Sequence, residues 1–187
     1  MPLMTSQQYV ESLAKMKRNI WFQGEKIEDP ISHPMLIPSR KCLEETYNMA
    51  LMPEYEDLLT ATSHLTGRRI NRFNHIHQNR EDLNKKVKLQ RLMGQRTGSC
   101  FQRCVIMDMA NAFYSTTYEI DEKYGTEYFE RFKQYITYCQ EEDLIVAGAL
   151  TDVKGSRGSK IGSDEQDKDL YVHVVERRPD GVVVNGA

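Results

Sequence analysis

Long apolar runs are missing from this 187-residue chain. None approaches the ~18 residues that a membrane helix needs. The start, Met1-Pro2-Leu3-Met4-Thr5-Ser6, has neither the charged opening nor the apolar core of a signal peptide. An excess of one charge is missing too: 25 Lys and Arg stand against 27 Asp and Glu, a formal net charge of -2. Nucleic-acid binders usually carry a basic excess or a basic stripe. These absences point to a cytoplasmic protein that binds neither nucleic acid nor membrane. Cysteine is scarce, with four in all: Cys42, Cys100, Cys104 and Cys139. In the cytosol such residues are free thiols or metal ligands more often than disulfides. What is present suffices for a core, since 40% of residues are apolar, and the length fits one ordinary domain or one and a half small ones.

The patterning predicts helices first. Thr5 and Gln8 form a capping box ahead of a helix to Asn19, with Val10, Leu13 and Ala14 at helical spacing. Ile20 to Ile27 is short and β-prone. After the Pro-rich loop through Pro34 and Pro38, a second helix is expected with Ser39 as cap and Leu43, Thr46, Tyr47 and Ala50 on one side. A third helix is expected over Pro53 to Thr60, with Pro53 at its first position. Asn79 can cap a fourth, with Glu81 and Asp82 in its first turn and Leu83, Val87, Leu89, Leu92 and Met93 as its apolar positions. Gly94 and Gly98 interrupt that pattern. A long helix is expected from near Ser99 to Tyr124, ended by Gly125, and Thr126 is the expected cap of a further helix to about Glu142. The character then changes: Leu144 to Leu150 reads as a buried strand, 152–168 as a Gly-rich polar loop, and Leu170 to Val175 and Val182 to Val184 as strands. Arg178-Pro179-Asp180-Gly181 between them is hairpin turn chemistry. The expectation is a mostly α helical domain over 1–142, followed over 143–187 by the incomplete opening of a β-domain. A small α+β protein ending in a β-meander fits the same composition.

Cys100-Phe101-Gln102-Arg103-Cys104 carries the clearest chemistry. On one helix its two thiols share a face one turn apart, a workable bite for two corners of an iron–sulfur cluster or for one metal. Two buried apolar side chains fit the same spacing. His75 and His77 would share a face on a strand and could ligate metal, but with no third ligand nearby a polar loop or capping role suits them better. The segment from Gly148 to Arg157 offers a hydroxyl, a carboxylate, a Lys and an Arg around a glycine turn, which suits a phosphate or the polar edge of a flavin, or simply a solvated loop. The cations from Arg80 to Arg96 could guide an anionic ligand such as coenzyme A, or form the wet side of an amphipathic helix.

Several stretches in order carry a family resemblance. Ile70-Asn-Arg-Phe73, Lys85 through Gln95, Ser99-Cys-Phe-Gln-Arg-Cys104, Ser115-Thr-Thr-Tyr-Glu-Ile120 with Lys123-Tyr-Gly125, and Gly148-Ala-Leu-Thr-Asp152 with Lys154-Gly155 resemble the 4-hydroxybutyryl-CoA dehydratase family. More widely they resemble the flavin-dependent 4-hydroxyphenylacetate 3-monooxygenases and the acyl-CoA dehydrogenases. The resemblance implies an acyl-CoA dehydrogenase-like N-terminal helical domain followed by the first strands of a β-barrel-like, flavin-binding middle domain. It implies radical dehydration of 4-hydroxybutyryl-CoA to crotonyl-CoA, with vinylacetyl-CoA isomerisation, by an enzyme carrying FAD and a [4Fe-4S] cluster. Cys100 and Cys104 would be two cluster ligands and Gln102 an active-site residue. Leu150, Thr151, Asp152, Lys154, Gly155 and Arg157 would line the flavin.

The family's other two cluster ligands, a His and a Cys, fall beyond residue 187, and His173 matches no ligand position. The expectation is therefore an N-terminal part that needs a C-terminal region or a complementary subunit, in a family that forms homotetramers. A flavin-dependent aromatic hydroxylase and a non-catalytic fragment are the competing readings.

Overall fold

A computed structural model describes residues 3–148 and 169–186 of the chain. Two compact units divide it, Met1–Ala147 and Gly148–Ala187. The first is mostly helical.

Helix α1 is Ser6–Lys15, and its start is the expected capping box: Thr5 Oγ1 accepts from Gln8 N, and Gln8 Oε1 accepts from Thr5 N at 2.9 Å. The β-prone stretch is a tight antiparallel hairpin of β1 (Ile20–Phe22) and β2 (Glu25–Ile27). Its turn, Gln23-Gly24, takes positive φ at both residues. Helix α2 spans Ile37–Ala50 and begins earlier than expected. Ser39 lies inside it, and no side chain caps its start; Pro38 in the first turn supplies the preset φ instead. The expected third helix is split. Pro53–Tyr55 is a 3-10 turn, α3 is only Glu56–Leu59, and Thr60 already opens β3 (Thr60–Thr62). That strand pairs with β4 (Arg69–Asn71), a hairpin the apolar pattern did not announce because each strand is three residues long.

Helix α4, Arg80–Thr97, is capped by Asn79, whose side chain accepts from Asp82 N at 3.0 Å. It runs straight through Gly94 and ends on Gly98 in the left-handed conformation, where glycine is favoured. Leu89 and Met93 are buried as expected, but Leu83 and Val87 are exposed, so its apolar face is narrower than the sequence suggests. Helix α5 is Cys104–Tyr124 and α6 is Tyr128–Glu141. Gly125 ends α5 as expected. The expected Thr126 cap is not the one used: Asp121, one turn before the end of α5, accepts from Tyr128 N at 2.9 Å and Phe129 N at 2.8 Å, while Thr126 Oγ1 donates to it. One carboxylate thus closes α5 onto α6, and the two helices pack together.

One core joins these pieces: Met49 and Ala50 of α2, Leu59, Phe73, Ile76, Leu89 and Met93 of α4, Phe101, Ile106, Met107 and Ala110 of α5, and Phe132, Ile136 and Cys139 of α6. Leu144 and Val146 pack against it, but Leu144 to Gly148 form no strand, in contrast to the expectation. Residues 149–168 fall outside the described part. The second unit shows the expected hairpin, β5 (His173–Arg178) with β6 (Gly181–Asn185), Arg178 opposite Gly181. Val172, Val174, Val175, Val182 and Val184 remain exposed on it, as two strands alone cannot cover an apolar face.

Because Asp121 holds two otherwise unsatisfied amides at the start of α6, Asp121→Ala should cost about 1–2 kcal/mol. In a chain of this size that lowers Tm by roughly 2–8 °C. Thermal unfolding followed by circular dichroism checks this; an unchanged Tm would refute the role.

Candidate functional site

The chain between α4 and α5 is built by alternation. Phe101 and Arg103 point into the protein and are buried, whereas Cys100 and Gln102 are exposed. Gln102 takes φ +63, a left-handed backbone that breaks any helix here. The expected shared helix for Cys100 and Cys104 is therefore corrected: Cys104 is the first residue of α5, and Cys100 sits in the loop before it. The thiols still influence one another. Burial raises the Cys104 thiol pKa, and so does Cys100, both as a neighbouring charge and through a side-chain hydrogen bond. The amides of Cys104 and Val105 at the start of α5 act in the opposite direction.

What holds this loop is Arg103, which is 0% exposed. Its Nη2 donates to Asp143 Oδ1 at 2.9 Å and to Leu144 O at 3.5 Å, and its Nη1 donates to Thr46 Oγ1 at 3.3 Å. The guanidinium lies 4.7 Å from the Tyr47 ring centre and 4.9 Å from that of Phe73. Phe73 in turn packs on Phe101 at 5.6 Å. Asp143, in a left-handed turn just past α6, also accepts from Met4 N at 3.2 Å, and its carbonyl accepts from Tyr47 OH at 2.9 Å. Sequence reasoning passed over Arg103 and Asp143; the available signal was the alternation that puts Arg103 two residues after the apolar Phe101.

The residues present fit two corners of a cluster: two adjacent thiols at a helix start, one exposed and one half-buried. Among the described residues no group of three or more His, Cys, Asp or Glu could hold a metal ion. His75 and His77 do not make a site with the thiols. His75 is buried and its Nε2 lies 3.1 Å from Asp82 Oδ2, while Arg72 reaches Asp82 Oδ1 at 3.0 Å. His75 is thus engaged at the start of α4, while His77 Nε2 is buried without a hydrogen-bond partner. Cys139 is core, and Cys42 is only half-buried. Several cations of α4 are engaged in ion pairs: Lys85 with Asp57 and Glu81, Lys86 with Asp108, and Arg96 with Glu45. The flavin set, Leu150, Thr151, Asp152, Lys154, Gly155 and Arg157, lies outside the described residues. His173 belongs to β5, with Nδ1 2.8 Å from Tyr171 O. No helix among the described residues is long and apolar enough to cross a membrane.

This helical arrangement recurs in enzymes of known structure. An oxygen-tolerant archaeal 4-hydroxybutyryl-CoA dehydratase from N. maritimus aligns with a TM-score of 0.87 and 43% identity, over 98% of this chain and 36% of that one. The oxygenase component of 4-hydroxyphenylacetate 3-monooxygenase, complexed with FAD and 4-hydroxyphenylacetate, aligns with a TM-score of 0.72 at 24% identity, over 98% of this chain and 37% of that one, and shares the fold. The mostly helical class is thus the acyl-CoA dehydrogenase-like one. The 4-hydroxybutyryl-CoA dehydratase/vinylacetyl-CoA-Delta-isomerase of Clostridium aminobutyricum is 55% identical over 185 residues, 99% of this chain and 38% of that enzyme. Residues 5–187 match the family described as 4-hydroxyphenylacetate 3-hydroxylase N terminal, and the chain belongs to it. It spans about two fifths of the length of that Clostridium relative, 38%.

Asp82 makes the acid behaviour of this unit testable. Burial pushes its carboxyl up, but the Gln78 amide, His75 and Arg72 outweigh this and bring it down to about 2. An unfolded aspartate titrates near ~3.9. The stability it contributes is therefore fully present above pH ~4 and lost as pH falls toward 2. His75 and His77 act higher: burial holds both imidazoles below the ordinary value. As pH falls through ~6.5, the unfolded chain binds protons that the folded chain does not, and stability declines. Asp82→Asn should cost about 3 kcal/mol at pH 7, because the Arg72 guanidinium is left buried beside a neutral amide. It should also flatten the loss between pH 4 and 2 in urea-unfolding titrations. An unaltered acid limb would refute the assignment.

Proposed function

We propose that this chain is the N-terminal, thiol-bearing part of a 4-hydroxybutyryl-CoA dehydratase that also isomerises vinylacetyl-CoA. The observation that carries the reading is the loop bearing Cys100 and Cys104 at the start of α5, pinned from below by the buried Arg103, in a chain 55% identical to such an enzyme. In this reading Cys100 and Cys104 are two ligands of a [4Fe-4S] cluster, and the rest of its ligands and of the flavin site come from a C-terminal region or a complementary subunit. Residues 1–142 form the helical domain. Residues 143–187 open a β-barrel-like middle domain in which Leu150, Thr151, Asp152, Lys154, Gly155 and Arg157 line FAD. When bound, the flavin supplies one-electron chemistry and the cluster a Lewis-acidic iron for the departing hydroxyl.

The chain's own residues bind and orient. The thiols lose their protons to become ligands, since thiolate is the ligating form. Gln102, held outward by its left-handed backbone between them, offers a neutral amide that donates and accepts beside the acyl group without competing for the iron. The assembly is a cytoplasmic homotetramer.

A flavin-dependent aromatic hydroxylase has support from the family's description, but hydroxylation gives no use for two adjacent thiols.

The test is anaerobic purification of the protein from its native source, with iron, flavin and mass measured on one sample and 4-hydroxybutyryl-CoA supplied. Iron and flavin together with crotonyl-CoA formation are expected. Flavin without iron, with hydroxylation of 4-hydroxyphenylacetate, would overturn the reading in favour of the hydroxylase. Absence of both cofactors would leave a non-catalytic fragment. The isolated 187-residue chain, which offers two thiols where a cluster needs about four ligands, is expected to show no turnover.

A further inference from the structure

We propose that the buried Arg103–Asp143 pair is a positioning device that presents Cys100 and Cys104 as a two-sulfur bite. The inference rests on the proposed ligand role of the thiols and adds the residues that set their geometry. Arg103 sits at the cap of α5, between the left-handed Gln102 and the first helical residue, Cys104. Any shift of its guanidinium moves the backbone that carries both sulfurs. Three elements hold it: Asp143 and Leu144 after α6, Thr46 of α2, and the ring faces of Tyr47 and Phe73. Phe101, the other inward side chain of the loop, rests on the same Phe73. The loop is thus anchored at alternate residues, and the outward positions, Cys100 and Gln102, have no freedom to slide. An apolar side chain of similar volume would fill the space without the desolvation cost of two buried ions. A fixed fork of donors, by contrast, defines direction as well as volume.

Phenylarsine oxide reads this geometry without cluster, flavin or turnover. It condenses with two thiols: two As–S bonds form, the arsenic-bound oxygen leaves as water with both thiol protons, and no atom changes oxidation state. Only a correctly spaced pair binds it tightly. The wild-type chain should bind one equivalent, and Cys100→Ser should abolish tight binding. Asp143→Asn should weaken it at least tenfold at a temperature where circular dichroism reports a folded chain. Thr46→Val, a milder change that removes one acceptor of the Arg103 guanidinium, should weaken it about threefold and serves if Asp143→Asn does not fold. Asp121→Ala lowers stability from the far end of α5, about 25 Å away at 1.5 Å per residue, and should leave the affinity unchanged.

If wild type fails to bind, the reading of the thiols as paired ligands falls, and the positioning role with it. If wild type binds and neither Asp143→Asn nor Thr46→Val weakens it, the ligand reading stands and the positioning role is overturned. If Asp121→Ala weakens binding as much as Thr46→Val does, the effect is one of general stability and the positioning role is likewise overturned.

Discussion

Taking a guanidinium fully out of water is costly, and the helical unit is arranged around meeting that cost at Arg103. Each buried ion carries a penalty of several kcal/mol that only good geometry and further hydrogen bonds offset. Here the compensation comes from parts of the chain far apart in sequence: Thr46 and Tyr47 from α2, Phe73 after β4, Asp143 and Leu144 after α6. Asp143 adds Met4 at the N-terminal end and Tyr47 again. Engaging the two terminal nitrogens and the faces of one cation therefore gathers α2, the β4 turn, the start of α5 and the end of α6. Removing either partner would strand a charge among aromatic rings, so these elements hold one another in register.

Asp82 plays a similar part at the start of α4. It terminates the buried Arg72, engages His75 and receives the Gln78 amide at the start of α4. Arg72 also donates to the carbonyls of Leu58, Asp57 and Thr60, which closes the ends of α3 and β3. Two short strands and a four-residue helix have little stability of their own. A buried arginine that satisfies their loose carbonyls explains why such small pieces persist.

Features that depend on near neighbours were legible in the sequence. The Thr5 capping box, the Asn79 cap, the stop at Gly125 and the turn at Pro179-Asp180-Gly181 all formed as read, because each rests on contacts within a few residues. Features set by distant partners were not. Thr126 looked like a cap because nothing local reveals that Asp121 reaches across the turn first. Leu83 and Val87 looked like core because periodicity does not say how wide a face the neighbours cover. The run from Ser99 to Tyr124 looked like one helix because its composition suits one; Arg103 ends that continuity, and its partner Asp143 is 40 positions away. The thiol pair itself was visible as spacing, while the backbone that carries it was not.

That backbone bears on how the thiols behave. On a continuous helix both sulfurs would stand over the preceding turn, whose amides already bond within the helix. With Cys104 at the first position of α5, the free amides of Cys104 and Val105 face its sulfur and favour the thiolate. Burial and the adjacent Cys100 thiol outweigh them, and the net effect is a raised pKa. The Cys104 thiol is therefore harder to deprotonate than a free one. A soft cation reverses the balance: it neutralises the repulsion between the two sulfurs, displaces their protons and leaves the helix amides as added support for the negative charge on sulfur. The character of the Cys104 sulfur thus comes from the groups around it rather than from the cysteine spacing.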